Sequence, residues 1–262
     1  MSANARINAP VELAESGNSD VELFAALGTR AREATVPAQR MLGFHDFCYP
    51  DMQFRICFFS GPSLPPAASL VKEAYSRLGY TVSDGESALA ESVTATANLQ
   101  AIQRNTTLGT LSVNLDGCSG LHAEDLYPDE VAELRMGGPL CEFTQLALDT
   151  ELAGREVLCS LFYVAYVFSH AVHGVKHLLI EVNPRHRTFY ERMLGFRLLG
   201  GERLCRRVRA PAVLLHLDFD FTRKQIERAR RGLSVAGTTL YRYAASIADE
   251  EALIRRMGAP MR

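Results

Sequence analysis

The feature that most constrains the fold of this chain is an apolar segment at residues 157–172, VLCSLFYVAYVFSHAV, between two strand-like runs. The segment is too short to cross a bilayer and contains two serines and a histidine, so it is predicted to be a core helix. The flanking runs, residues 142–148 (EFTQLAL) and 175–182 (VKHLLIEV), are typical of buried strands. Strand, helix and strand in this order predict a crossover connection within one sheet.

Further elements are predicted on both sides of this unit. Strands are expected at residues 54–59, 94–103, 108–114, 203–208 and 212–218, and helices at residues 20–32, 67–78 and 187–194. The bend at residues 104–107 predicts a hairpin, and Gly79 and Gly195 are predicted to end the helices before them. This order predicts an α/β (α+β) fold with a central mixed, mostly antiparallel sheet flanked by helices on both faces.

The pattern divides the 262 residues into three parts. Residues 1–50 are predicted to be a partly helical N-terminal extension, residues 51–221 the core, and residues 222–262 a helical C-terminal extension. Within the core, residues 115–139 are acidic and interrupted by glycine and proline, and we call them the acidic excursion.

Composition excludes several classes of protein. The hydrophobic fraction of 47% and charged fraction of 22% are those of an ordinary globular protein, and the net charge of −2 argues against a nucleic-acid binder. None of the six cysteines forms a CxxC pair, so reduced thiols and a cytoplasmic location are expected. No transmembrane segment is predicted. His170, His173 and His177 lie around a helix end, where histidines favour the helix dipole, so no metal is expected.

Residues 182–196, VNPRHRTFYERMLGF, resemble the signature of strand five and helix four in the GNAT acyltransferase superfamily. Together with residues 199–218, LGGERLCRRVRAPAVLLHLD, they look like the long-chain N-acyl amino acid synthases of the N-acyltyrosine synthase type, relatives of the acyl-homoserine-lactone synthases. The resemblance implies a GNAT-like acyltransferase core at residues 51–221. It also implies transfer of a fatty acyl group from a thioester on acyl carrier protein to an amino acid's α-amine, with no permanently bound cofactor and transient membrane contact through the lipid product.

Two further stretches bear on the donor and on the chemistry. Residues 141–148, CEFTQLAL, resemble the E-x-[ST]-R-[LF]-A-V strand of the lactone synthases, with Gln145 in place of the arginine. Residues 149–156, DTELAGRE, stand where CoA-dependent relatives have an R/Q-x-x-G-x-G/A loop. Their three acids would repel a diphosphate at a helix N-terminus, which favours the single phosphate of a carrier arm. A CoA-dependent acyltransferase and a non-catalytic carrier-binding module stay open as alternatives.

The resemblance assigns two catalytic roles. Glu142 is the expected base for the attacking amine, because burial on a central strand can raise its pKa. Tyr190 stands where related enzymes often keep a tyrosine that protonates the leaving thiolate. The alternatives are a glutamate paired with a nearby arginine and a tyrosine packed on the sheet.

Substrate-binding roles are expected at a strand end and along the apolar helix. Arg185 and His186 are candidates to hold the amino acid's carboxylate or the carrier's phosphate, or else are ordinary surface residues. Aromatic residues of the helix line an acyl-chain tunnel in this family, although such residues are more often plain core. The complete set of predicted substrate contacts is Thr144, Phe162, Tyr166, Asn183, Arg185 and His186.

Charge is polarised along the chain. Residues 203–231 contain nine Lys or Arg against three acids, and residues 116–151 contain nine acids against one Arg. A basic patch suits acyl carrier protein, whose recognition helix is acidic. The basic residues could instead match the acidic excursion within the molecule. The residues predicted to dock the carrier are Arg203, Arg206, Arg207, Arg209, Arg223 and Lys224.

Overall fold

The computed structural model describes residues 45–48, 54–59, 65–77, 97–233 and 240–258. The strands are β1 (His45–Cys48), β2 (Arg55–Phe59), β3 (Ala97–Gln103), β4 (Thr106–Leu115), β5 (Leu140–Leu148), β6 (His177–Val182), β7 (Arg197–Cys205) and β8 (Ala210–Asp218). The helices are α1 (Pro65–Arg77), α2 (Pro128–Arg135), α3 (Arg155–Tyr166), α4 (Arg187–Leu194), α5 (Phe219–Arg230) and α6 (Ile247–Gly258). The predicted helix at residues 20–32 lies outside the described residues.

All eight strands form one sheet in the order β1-β2-β3-β4-β5-β6-β8-β7. Every neighbouring pair is antiparallel except β5 and β6, which are parallel and joined through α3. The crossover predicted around residues 157–172 is therefore confirmed, and so is the hairpin between β3 and β4. The predicted mixed, mostly antiparallel sheet is also confirmed.

Helices cover both faces of the sheet, as predicted. On one face, α2 and a 3-10 helix (His122–Asp125) pack on Leu140, Leu179 and Leu214. On the other face, α3, α4 and α5 belong to the larger core with Phe143 and Leu178. Successive strand residues point to opposite faces of the sheet. We call the face covered by the acidic excursion the excursion face, and the face covered by α3 the α3 face.

Several segments differ from their predicted form. The last six residues of the apolar helix, Val167–Val172, form a π-helix rather than an α-helix. The acidic excursion contains two helices. The helix that follows β8 begins at Phe219, since the Asp218 carboxylate accepts hydrogen bonds from the backbone N–H groups of Asp220 and Phe221. A strand not predicted from the sequence, β1, pairs with β2 from within the first 50 residues.

The strand predicted at residues 203–208 is displaced, because β7 starts six residues earlier and includes two glycines. Gly200 is required by a close approach: a Cβ there would overlap the ring of Tyr127, which reaches across from the acidic excursion. The Tyr127 hydroxyl donates a hydrogen bond to the Ala212 carbonyl at 2.7 Å, so the excursion is fastened onto β8. Gly195 ends α4 with a φ of +80°, as its predicted capping role requires.

Candidate active site

The site begins where β5 and β6 part. Their parallel pairing covers only residues 140–142 and 177–179, after which β5 continues along β4 and β6 continues along β8. Just past the parting, β5 bulges, with Gln145 and Leu146 opposite the single residue Leu111 and with Gln145 at a φ of +51°. The result is a gap in the sheet that opens toward the carboxyl ends of both strands.

On the excursion face, the strands beside this gap carry polar side chains at alternate positions. The cross-strand pairs place them in one continuous row, formed by Asn98, Gln100, Thr110, Ser112, Asn114, Glu142 and Thr144. Among the described residues, no hydrogen-bond partner is found for the buried side-chain amide of Gln100 or for the buried hydroxyl of Thr144. A buried polar group without a partner costs about 1–3 kcal/mol, so such a set marks a place that receives polar groups from outside.

Glu142 lies in this row and is almost fully buried, with 1% of its surface exposed. The backbone N–H of His122, in the acidic excursion, donates a hydrogen bond to its Oε2 at 2.9 Å. Burial and the nearby charge of Glu181 raise the pKa of Glu142 to about 8, although Arg207 and the His122 N–H act in the opposite direction. That value is far above the ordinary pKa of a carboxyl group, so the carboxylate is a stronger base than usual and suits accepting a proton from an amine.

A second carboxylate and one arginine complete this cluster. Arg207, from the turn between β7 and β8, donates to Glu181 at 2.7 Å, to Asp125 at 2.9 Å and to the His122 carbonyl at 3.0 Å. Burial raises the pKa of Glu181 against the lowering effect of Arg207. Arg207 thus joins β6, the β7–β8 turn and the excursion around Glu142.

An apolar cavity lies on the α3 face, beneath the same parting. Its lining side chains leave a free volume of about 30 Å³. Its lining includes Phe143, Leu178, Phe162, Tyr166, Ile226 and Tyr241. Glu142 does not line the cavity, because its side chain points to the excursion face. The next residue, Phe143, points to the α3 face and does line it. The gap in the sheet therefore has a polar, carboxylate-bearing side and an apolar side.

The predicted aromatic residues all lie on the α3 face. Phe162 and Tyr166 line the cavity, at the position the sequence assigned to an acyl chain. Tyr190 is buried, and its ring packs against those of Phe162, Phe189 and Phe196. The structure thus places Glu142 and Tyr190 on opposite faces of the sheet, and a substrate reaching both must pass through the gap.

Asn183, Arg185 and His186 lie at the carboxyl end of β6, at the mouth of the gap. The Asn183 side chain accepts a hydrogen bond from the Arg185 backbone N–H, which caps the 3-10 helix Pro184–His186. Arg185 is exposed, and its Nε donates to the His186 ring at 3.1 Å. Burial and the Arg185 charge lower the pKa of His186 to about 4, so the cation at the mouth is Arg185.

The six basic residues predicted as one docking patch are not together. The nine residues of β8 lie between the β7–β8 turn and the start of α5, so they separate the two by about 27 Å. Arg203 pairs with Glu130 and Arg207 with Asp125, both in the acidic excursion, and Arg223 pairs with Asp220. Within the described part of the chain, no ion pair forms with the exposed side chains of Arg206, Arg209 and Lys224.

Sequence reasoning missed three participants that the structure brings to the site: Glu181, Asn114 and Gln100. Glu181 could have been identified from the sequence, because it is a charged residue inside the apolar run HLLIEV. Asn114 and Gln100 belong to strands with polar residues at every second position, and that period of two also marks a polar face.

The described histidines have local roles. Nδ1 of His170 is 2.7 Å from the Val175 carbonyl, His173 packs on Phe168, and His177 is hydrogen-bonded to His216. Over residues 97–233 and the other described segments, no three His, Cys, Asp or Glu side chains cluster as metal ligands. The described helices are all too short or too polar to span a membrane.

A family model and a solved structure of the same family both match most of the core. A family model described as N-acyl amino acid synthase FeeM matches residues 66–218, more than half of the chain. The structure of FeeM, from uncultured soil microbes, is 28% identical, with a TM-score of 0.54 over 61% of this chain and 92% of that one. A search of curated proteins found no significant match.

Two more distant structures were also matched. The acyl-homoserine-lactone (AHL) synthase LasI is 13% identical, with a TM-score of 0.34 over 47% of this chain and 64% of that one. An aminoglycoside N(6')acetyltransferase from Legionella pneumophila is 17% identical, with a TM-score of 0.43 over 68% of this chain and 99% of that one. The family model and the FeeM structure agree with the sheet and its gap. The chain therefore belongs to the FeeM family of N-acyl amino acid synthases and is an N-acyltransferase with a GNAT-like fold.

Proposed function

We propose that this protein transfers a long-chain fatty acyl group from a thioester on acyl carrier protein to the α-amine of an amino acid. The observation that carries the proposal is the gap between β5 and β6, with the Glu142 carboxylate on its polar side and an apolar cavity on its other side. The apolar side of the gap suits the fatty chain of a thioester, and the polar side suits an amino acid.

The proposed reaction places each reactant on the matching side. The acyl chain lies in the cavity between Phe162 and Tyr166, the thioester carbonyl in the gap, and the amine beside Glu142. As the neutral amine attacks the carbonyl carbon, Glu142 accepts its proton and the carbon–nitrogen bond forms. Backbone N–H groups at the Gln145 bulge stabilise the oxyanion. The carbon–sulfur bond then breaks, and Tyr190 protonates the leaving thiolate.

The amino acid is held from the mouth of the gap and from the polar row. Arg185 offers a guanidinium for the substrate carboxylate, with Asn183 and His186 shaping the same loop. Thr144, whose buried hydroxyl lacks a partner among the described residues, receives a hydrogen-bonding group of the substrate, and Asn114 lies beside Glu142 in the same row. This arrangement presents the α-amine to Glu142.

The start of α3 favours the carrier protein over CoA as donor. Asp149 accepts hydrogen bonds from the backbone N–H groups of Glu151 and Leu152. The Glu156 carboxylate folds over Gly154 so closely that it occupies the space a Cβ at residue 154 would need. Carboxylates therefore hold the place at which a diphosphate would meet the helix N-terminus. The free thiols of the described cysteines fit the reducing cytoplasm, where we place the reaction.

The donor is tested by supplying acyl carrier protein and CoA thioesters of the same acyl chain side by side. Each is mixed with the protein and the twenty common amino acids, and N-acyl products are measured by mass spectrometry. We expect the carrier thioester to give a kcat/KM at least about tenfold higher, equivalent to about 1.4 kcal/mol. A higher value with CoA would overturn the carrier assignment, and binding of carrier without any amide product would indicate a non-catalytic binding module.

Carrier docking is proposed at the β7–β8 turn, where Arg206 and Arg209 are exposed at the same end of the sheet as the mouth of the gap. Reversing both charges, Arg206→Glu with Arg209→Glu, is expected to slow carrier association about tenfold at low salt and to flatten its salt dependence. The matched control, Arg223→Glu with Lys224→Glu, removes the same charge at the opposite end of the sheet. Equal slowing by both pairs would contradict docking at the turn.

A further inference from the structure

The apolar cavity has one wall made by chain that follows the family match. Its floor comes from β5 and β6, through Phe143 and Leu178, and one side comes from α3. The family match ends at Asp218, the residue directly before α5. Six lining residues come after that point: Phe219, Thr222, Ile226, Leu240, Tyr241 and Ala244.

Two hydrogen-bonding contacts of its hydroxyl hold Tyr241 in this wall. The tyrosine is buried, and its hydroxyl donates a hydrogen bond to the Leu194 carbonyl, at the end of α4, at 2.6 Å. The hydroxyl oxygen of Thr222 in α5 is 3.3 Å from the Tyr241 hydroxyl oxygen. Because the hydroxyl is held between two helices, the apolar ring is fixed against the cavity and cannot turn away without breaking buried hydrogen bonds.

A second anchor holds the segment that follows. Arg230 of α5 donates to the Tyr163 hydroxyl at 2.9 Å, to Glu250 of α6 at 2.8 Å and to the Ala245 carbonyl at 2.9 Å. Tyr163 also donates to Glu250. This half-buried group ties α3, α5 and α6 together behind the cavity, so the wall is preorganised.

We propose that residues 219–226 and 240–244 set the length of the acyl chain that this protein accepts, with Tyr241 and its neighbours ending the cavity. The inference rests on the proposed function, which puts the acyl chain in the cavity. Each methylene buried there raises affinity about fourfold, until the chain meets the anchored wall. Longer chains overpack the wall and bind more weakly.

The test measures chain-length preference by binding alone. Saturated fatty acids of eight to eighteen carbons compete with the fluorescent probe 11-(dansylamino)undecanoic acid for the purified full chain. We expect Tyr241→Ala to move the best-bound length two to four carbons upward and to raise affinity for the longer acids at least tenfold. Ala244→Phe, at a half-buried lining position, is expected to shorten the best-bound chain length. Ile247→Ala, an exposed position in α6, is the control and is expected to leave the profile unchanged.

The outcomes separate this inference from the proposed function. If the chain-length preference does not change in Ala244→Phe, or in a Tyr241→Ala variant that folds, the length-setting role is wrong, even if amide synthesis is observed. A profile that moves as expected supports the role, even if no amide forms with any amino acid. Failure of every fatty acid to displace the probe from the unmodified protein overturns the role together with the acyl cavity.

Discussion

Replacing Glu142 by glutamine is expected to lower the rate of amide formation by about 10²–10⁴-fold, the usual contribution of a positioned general base. Glutamine keeps the size of the side chain and can still accept the hydrogen bond from the His122 N–H, but it cannot accept the amine proton. The measurement is kcat/KM for N-acyl product with saturating acyl donor, together with donor affinity for the same variant. We expect donor affinity to remain within about twofold of the original.

The pH dependence gives a sharper readout of the same role. The proposed step needs Glu142 ionised, with a pKa of about 8, and the amine neutral. Below both pKa values, log kcat/KM should therefore rise with a slope of about 2 per pH unit. In Glu142→Gln only the amine titrates, so the slope should fall to about 1. Equal slopes in the two proteins would contradict the role of Glu142 as base.

A matched control separates the loss of the base from the loss of a negative charge. Glu151→Gln removes a carboxylate from an exposed position just after the same strand. It is expected to leave kcat/KM within about twofold and to leave the slope unchanged. A comparable loss in both variants would point to a general electrostatic effect rather than to proton transfer.

The sheet could be predicted from the sequence because its signals are local. The apolar run at residues 157–172 allowed only a buried helix, and the strands on either side of it then had to run in parallel. Gly195 ended α4 where its φ of +80° favours glycine. The start of β7 could not be predicted in this way, since its glycines are explained only by Tyr127, which lies more than seventy residues earlier and packs on Gly200.

The candidate site was predicted only in part, for the same reason. Glu142 was found through the family resemblance, and its burial followed from its position on a central strand. Its partners, Glu181 and Arg207, come from β6 and from a turn near the end of the sheet, and only the folded acidic excursion closes over all three. Likewise, residues 203–224 form one basic window in sequence, but β8 carries the chain across the sheet and divides that window between two ends.

The strongest structural prediction concerns Arg207, which holds Glu181 beside Glu142 in the closed cluster. Replacing Arg207 by alanine is expected to lower the free energy of unfolding by about 2–3 kcal/mol at pH 8.5. This is below the 3–5 kcal/mol of a fully buried pair, because 37% of the arginine side chain is exposed. Chemical denaturation of the two proteins at matched pH measures the difference.

The sign of the pH effect follows from the raised pKa values of both glutamates. Between an unfolded value near 4.5 and the higher folded values, the folded protein holds protons that the unfolded chain has lost, so stability falls as pH rises. Removing Arg207 raises both pKa values further and extends this fall to higher pH. The stability difference between the original protein and Arg207→Ala should therefore shrink to about 1 kcal/mol or less at pH 5.

Two companion variants decide whether the cluster is the cause. Arg206→Ala removes the preceding, exposed arginine and is expected to change stability by no more than about 0.5 kcal/mol at either pH. Adding Glu181→Gln to Arg207→Ala removes the uncompensated carboxylate, so it should recover at least about 1 kcal/mol at pH 8.5. If Arg207→Ala costs the same at both pH values, or the double variant recovers nothing, then Arg207 stabilises the fold by packing and does not compensate the charge beside Glu142.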